Sequence, residues 1–450
     1  MTETERAEHD RSVGALHERF QKLMNRGMQD GQYFVEALPV AKEIWQKRTD
    51  ALGADDPHTG LAASNVGHAL RALGRFSEAL PFNRQAVAAL ERGGDPNHPA
   101  LGAALAELGN NERELGNMSA AEAHLRRSVA IAERNYGPSG VGMVAPLDHW
   151  VGWYYDMGDY DRAGRLLQRM VDIVAERFGP VSGQVLFRLQ VLTRHHRDLG
   201  NLEEAETLAH RLIRIATRTY GAAHQNTAFA RGELAQIRLR RGDFEAAVRG
   251  YRRQIAMLTH ALGRHATSLA PAYNDLGAAY LQQGKYPEAA RALRRSIGIL
   301  ARSFGNYGAE LVSPLCNLAA LQTTNGQTKA ALSYAQRALR IASKHGETAA
   351  RRPLEVLVDV YVAIGELGKA EATGRHLLTG ITQKHGKEHP LRIESLQELS
   401  YIARLRGDLP RARTLLVEAV GLARRAALPD HVEAGLTTDL AAIDYLEHDT

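Results

Sequence analysis

The chain has 450 residues, 44% hydrophobic, 24% charged and only 6% aromatic, a composition that suits a helical protein and leaves little for a β-sandwich. Its formal net charge of +5 is the small difference between 56 basic and 51 acidic residues spread along the chain, so composition alone marks neither a nucleic-acid tail nor a membrane tail. A single cysteine, Cys316, excludes an internal disulfide and a thiolate metal site; with the charged opening MTETERAEHDRS and no long uncharged apolar run, it predicts a soluble, cytoplasmic protein.

In chain order, residues 1–17 read as an N-terminal arm, partly disordered, and residues 18–425 as a repeat array. A degenerate first copy opens at Gly31 in GQYFVEA; regular copies then recur at Gly74, Gly116, Gly158, Gly200, Gly242, Gly284, Gly326, Gly365 and Gly407. The spacing is 42 residues six times, then 39, then 42. Five places after each Gly stands an alanine: Ala79, Ala121, Ala163, Ala205, Ala247, Ala289, Ala331, Ala370 and Ala412. Eight places before it the column is wholly apolar, from Val66 and Leu108 through Trp150 to Leu399. Columns at 11, 8, 7 and 4 before the Gly, and at 5, 9, 12, 13 and 16 after it, follow helical spacing, so each unit is predicted to be two helices around a Gly turn. Small residues such as Gly67, Gly109 and Gly277 at minus seven, with the alanine column, allow close approach of the paired helices. A second Gly, as at Gly137, Gly221 and Gly305, is expected in a left-handed conformation at the end of the second helix. The 39-residue interval around KHGETAARRP predicts a register break near 340–365, and residues 426–450 read as a C-terminal capping helix with Glu433, Asp439, Asp444 and Glu447 on its outer face.

Stretches such as AYNDLGAAYLQQGKYPEAARALRRSIGIL (Ala272 to Leu300) and HGKEHPLRIESLQELSYIARLRGDLPRARTLLVEAV (His385 to Val420) carry a resemblance to the tetratricopeptide repeat, and the 42-residue period resembles its kinesin light chain subtype. The resemblance implies an all-α, right-handed superhelical solenoid of stacked antiparallel helix pairs, about ten repeats plus the cap, whose first helices line a concave groove. The chain lacks the N-terminal heptad segment of the eukaryotic motor subunit, so the repeat does not imply a motor role.

The groove columns that the resemblance implies lie 13, 10, 9, 6, 3 and 2 places before each Gly. They hold Asn65, His68 and Arg71, then Glu107, Asn110 and Arg113, then His149 and Tyr155, then Arg194 and Arg197, with Gln236, Asn274 and Asn317 further on. An asparagine both donates and accepts, which suits the backbone of an extended peptide. Only Asn65, Asn274 and Asn317 match the family's paired positions; Asn110 lies one turn later. Arg71, Arg113 and Arg197 share one column, which reads in two ways. They hold an acidic peptide or a free C-terminal carboxylate, or they pair with Glu107, Glu114 and Asp198 within the face.

Arg127, Arg169, Arg211, Arg253, Arg295 and Arg337 form a further column 11 places after the Gly, either a phosphate rail or an ordinary structural position of the repeat, with nucleic acid not expected. In the aromatic segment Asp148 to Tyr160, Trp150 and Tyr154 fall in core columns, leaving His149 and Tyr155 as exposed candidates; adjacent His195 and His196 point too far apart to share a metal easily. His58, His98, His224, His265 and His389 all fall in inter-repeat loops. No HExxH, GxSxG, CxxC or phosphate-loop motif occurs, and Cys316, in a groove column beside Asn317 with no His nearby in its own unit, reads as a small buried hydrophobe or an idle groove thiol. The expectation is a non-enzymatic scaffold binding a peptide or protein segment in its groove, without cofactor, metal or membrane. The alternatives are a regulator responsive to a peptide or small molecule and, in third place, an atypical enzyme or metal protein.

Overall fold

The computed structural model describes residues 3–27, 32–93, 95–345, 347–426 and 430–448, and among them there are helices but no strands. The chain divides into two compact units, residues 1–173 and 174–450. The first contains α1 (Glu3–Gly27), α2 (Gln32–Leu52), α3 (Pro57–Ala72), α4 (Phe76–Arg92), α5 (Pro99–Glu114), α6 (Met118–Tyr136), α7 (Val144–Asp156) and most of α8 (Tyr160–Phe178). The second contains α9 (Gly183–Asp198), α10 (Leu202–Tyr220), α11 (Gln225–Arg240), α12 (Phe244–Leu262), α13 (Leu269–Gln282), α14 (Tyr286–Phe304) and α15 (Val312–Thr324). It continues with α16 (Thr328–Ala342), α17 (Glu347–Ala363), α18 (Leu367–His385), α19 (Arg392–Leu405), α20 (Leu409–Arg425) and α21 (Asp430–His448). Helix α1 includes residues 3–17, which the sequence sets apart as an arm. Gly31, the opening of the degenerate copy, lies outside the described residues.

The turn glycines close each first helix in one way. At Gly284 the following amide, Lys285 N–H, reaches back to the Tyr280 carbonyl at 2.9 Å, and the same long bond recurs from Arg75 to Leu70, Asn117 to Glu112 and Asp408 to Ala403. That closure places the glycine in the left-handed region, and the nine glycines of the column have φ between 68° and 86°. The glycines ending the second helices differ from the left-handed conformation expected of them. Gly137 has φ 72° and ψ 169°, and Gly305 has φ 71° and ψ −175°, a positive-φ, extended region open essentially to glycine alone. It turns the chain sharply out of the helix, where a left-handed residue would have curled it back.

Packing follows the columns. All nine alanines of the plus-five column have no exposed surface, and the minus-eight column from Val66 to Leu399 is buried throughout. A Cβ added at Gly277 would meet Leu293 Cγ at 2.6 Å, and one at Gly109 would meet Leu125 Cγ at 2.8 Å, which accounts for the small residues at minus seven. Trp150 belongs to this core, stacked on Tyr154 at 5.4 Å and edge-on to Trp153 at 5.3 Å. Trp153 Nε1–H donates to the Met118 carbonyl at 3.1 Å.

The 39-residue interval is taken up mainly between the helices: α16 with the 3-10 turn Ser343–His345 spans 18 residues where α14 has 19, but α17 opens at Glu347, two residues past that turn, where the 3-10 turn leading into α15 opens at Ala309, five residues past Phe304. At the C-terminus α21 buries Leu436 and Ile443. Two of the four acids expected on its outer face turn back toward α20, Glu433 to Arg424 at 2.6 Å and Asp444 to Arg413 at 2.7 Å, while Asp439 accepts weakly from Gln397 at 3.4 Å. The Glu447 side chain lies outside the described residues.

Candidate functional site

In the first unit the groove columns of α3, α5 and α7 converge. Glu107 on α5 receives two partners from α3: Arg71 Nε at 2.9 Å and His68 Nδ1 at 3.1 Å. Burial by itself would raise this carboxyl; the His68 hydrogen bond and the Arg71 charge outweigh it and hold Glu107 at about 2. His149 on α7 faces the same carboxylate, and burial lowers its pKa, so the ring is uncharged near neutrality. Arg113 donates from Nε to Asn110 Oδ1 at 3.1 Å and pairs with Glu114 and with Asp156 of α7. Asn110 is buried and serves Arg113, whereas Tyr155 is half-buried, its ring 5.8 Å from that of Tyr160.

A cleft of about 390 Å³ opens among α3, α5, α6 and α7, lined by Ser64, Asn65, His68, Glu107, Tyr136 and His149, with Gly102, Ala103 and Ala106 as its small-residue wall. Among the described residues Ser64, Asn65 and His149 have no side-chain hydrogen-bond partner, while each oxygen of Glu107 is engaged by α3. The cleft therefore offers neutral groups that both donate and accept, and keeps its charges tied to one another.

In the second unit Glu233 on α11 is the hub. It accepts from Arg194 Nε at 2.9 Å, Arg197 Nη1 at 3.0 Å and Gln190 Nε2 at 3.0 Å, and Arg197 also pairs with Asp198 and donates to Gln236. Further along, Asn317 Nδ2–H donates to Asn274 Oδ1 at 2.9 Å, and Asn274 to Asp275 Oδ1 at 3.2 Å. Burial pushes Asp275 up to about 6 against the Asn274 hydrogen bond.

The arginine column thus makes the internal pairs Arg71–Glu107, Arg113–Glu114 and Arg197–Asp198, on a face partly withdrawn from solvent: the Arg197 side chain is only 11% exposed. Of the two readings of Cys316, the buried one holds. It lies in the core against Leu315 and Ala319, not on the groove, and burial pushes its thiol up to about 12, far from thiolate chemistry.

An acidic group was missed. Continuing the groove columns to Gly365 and Gly407 brings Glu355, Asp359, Glu394 and Glu398 onto α17 and α19, a signal present in the sequence. Burial, then the charges of Asp359, Glu355 and Glu394, push Glu398 up to about 8. Arg351 bridges Glu355 and Glu394, each at 2.8 Å. Among the described residues no group of His, Cys, Asp and Glu side chains is arranged to hold a metal ion, and no helix is long and apolar enough to cross a membrane. The loop histidines His98, His224 and His389 accept, through Nδ1, the backbone amide two residues on, capping or leading into the next first helix.

Family models described as tetratricopeptide repeat match residues 58–134, 192–260, 268–344 and 392–433, over half of the chain. Among solved structures, BtubC (BKLC) from P. vanneervenii is 20% identical over 53% of this chain and 91% of its own, with a TM-score of 0.40. A putative kinesin light chain with nearly identical repeats from Podosopora anserina is 23% identical over 46% and 98%, with a TM-score of 0.39. Yeast Tom70 is 12% identical over 98% and 97%, with a TM-score of 0.43. No curated protein sequence matches the chain.

Proposed function

The chain belongs to the tetratricopeptide repeat family, and from that premise we propose that it is a non-enzymatic interaction scaffold that takes a peptide or protein segment along the groove face of its first helices. One observation carries this reading: Ser64, Asn65 and His149, three neutral polar side chains without hydrogen-bond partners among the described residues, open on one cleft among α3, α5, α6 and α7. Groups able to donate and accept at once match the alternating N–H and C=O of an extended backbone. Asn274 and Asn317 extend the same chemistry in the second unit. Because Arg71, Arg113 and Arg197 already carry carboxylate partners, an acidic side chain or a C-terminal carboxylate would compete there with Glu107, with Glu114 and Asp156, or with Asp198 and Glu233. Recognition in this reading rests on hydrogen bonds more than on charge.

The test is selection of peptides from a displayed library on the full chain, followed by calorimetry on the recovered sequences. Ala103 is exposed and lines the cleft, so Ala103→Trp plugs it without entering the core. Binding should fall by about tenfold or more in Ala103→Trp and by about threefold to tenfold in Asn65→Ala, the scale of one or two hydrogen bonds. Peptides that bind both variants as they bind the parent protein would refute the assignment to this groove.

A further inference from the structure

The column 11 places after each turn glycine divides in two. Arg169 donates to the Pro138 carbonyl at 2.7 Å, Arg295 to the Arg264 carbonyl at 3.3 Å and Arg337 to the Asn306 carbonyl at 3.3 Å, each tying a second helix to the loop 31 residues earlier. Arg127 pairs with Glu91. Among the described residues Arg211 and Arg253 make no such bond, and Arg211, on α10, instead shares a hollow of about 570 Å³ with Pro180, the residue 31 places earlier. Arg214 and Arg218 line the same hollow, and among the described residues none of the three arginines has a hydrogen-bond or ion-pair partner. Their spacing of three and four residues puts them on one face of the helix.

The acids of α10 do not neutralise this face. Glu203 and Glu204 lie in its first turn, so that Arg214 is ten residues, or about 15 Å, beyond Glu204. Such a separation exceeds the screening length at physiological salt. Glu206 is engaged by Arg241 and Arg238 of the neighbouring repeat segment. The helix C-terminus favours a cation at Arg218, but that influence fades within one turn and does not account for Arg211. Apart from Thr217 the rest of the hollow is apolar: Pro180, Val181, which is 41% exposed, Ile213 and Ile215.

We propose that this hollow binds a phosphate monoester carried on an apolar or aromatic body. A carboxylate is satisfied by one guanidinium fork, whereas a phosphate monoester brings close to two negative charges and three acceptor oxygens, enough for several arginines. Inorganic phosphate would leave Val181 and Ile213 uncovered, so the organic body contributes as well. The site is separate from the groove assigned above, and stands or falls without it.

The experiment titrates phenyl phosphate into the full chain at low salt, with binding read by calorimetry and by saturation-transfer NMR. Inorganic phosphate, phenol and adenosine monophosphate serve as comparison probes. Phenyl phosphate should bind saturably, at least about tenfold more tightly than inorganic phosphate, and phenol should not bind. The Arg214→Ala, Arg218→Ala double variant should lose about tenfold or more with an unchanged thermal melt, since both side chains are exposed. Arg249→Ala, an exposed arginine on α12 paired with Glu245, should bind as the parent does. Tighter binding of phenyl phosphate than of the nucleotide assigns the site to a phosphorylated side chain of a partner, and the reverse order to a free nucleotide. Absence of saturable binding, equal affinity in the double variant, or equal affinity for inorganic phosphate would overturn the proposal.

Discussion

Glu107 and Glu398 stand at the same place in the repeat, nine residues before the turn glycines Gly116 and Gly407, and behave as opposites. Both are set into the groove face and both are penalised by burial. Glu107 meets His68 and Arg71 and is held at about 2; Glu398 meets Asp359, Glu355 and Glu394 and is pushed up to about 8. A repeat position therefore decides where a carboxyl sits but not its charge, which belongs to whatever the adjacent first helices bring against it.

The largest effect in this comparison should come from removing the guanidinium. Arg71→Ala leaves Glu107 buried with only His68 beside it, and should destabilise the α3–α5 region by about 2 to 3 kcal/mol, less than for a fully buried pair because one partner remains. Hydrogen exchange of the α3 and α5 amides at pH 7 reads the loss. Unchanged protection there would mean that the pair contributes nothing, and the contrast with Glu398 would collapse.

Next in size are the two pH responses, which run in opposite directions. For Glu107 the folded value lies below the unfolded 4.5, so its contribution is present above about pH 4.5 and is lost as pH falls toward 2. For Glu398 the folded value lies above 4.5, so the folded state holds a proton that the unfolded chain has released, and stability declines as pH rises from about 4.5 through about 8. Glu107→Gln should flatten the acidic limb of local stability around α5, and Glu398→Gln the limb between pH 4.5 and 8 around α19. Exchange protection measured across pH separates them; a Glu398→Gln profile that still declines over that interval would assign the decline to another group.

The smallest effect sharpens the comparison at an intermediate member of the column. Asp275, nine residues before Gly284, sits at about 6 because burial raises it and the Asn274 hydrogen bond opposes the rise. Asn274→Ala should move it further up by a fraction of a unit, and Asn317→Ala by less, since Asn317 acts only through Asn274. Carboxyl carbon shifts followed by NMR titration give the answer, and a downward shift in Asn274→Ala would contradict the hydrogen-bond account.

The helix pairs, the turn glycines, the wholly buried alanine column and the core role of Trp150 were all legible in the sequence, because each is a local steric requirement repeated at a fixed interval. The pairing of Arg71, Arg113 and Arg197 with acids of their own face was legible as one of two readings. The burial of Cys316 was likewise legible as one of two readings, a small buried hydrophobe or an idle groove thiol, and its place in the core with Leu315 and Ala319 decides for the first. The acids of α17 and α19 were within reach of the same column rule, but their mutual repulsion shows only when two helices 39 to 43 residues apart are laid side by side.

By itself, then, the sequence determined the period, the helix boundaries set by glycine, and the core faces, since spacing along one chain dictates which side chains share a helix face. Only the tertiary structure decided which charges cancel, which polar groups of the cleft are left without partners, and that Arg211 and Arg253 make no bond where Arg169, Arg295 and Arg337 do. Those outcomes depend on distances of a few ångströms between segments some 30 to 40 residues apart, and electrostatic energies change at that scale while the repeat pattern does not.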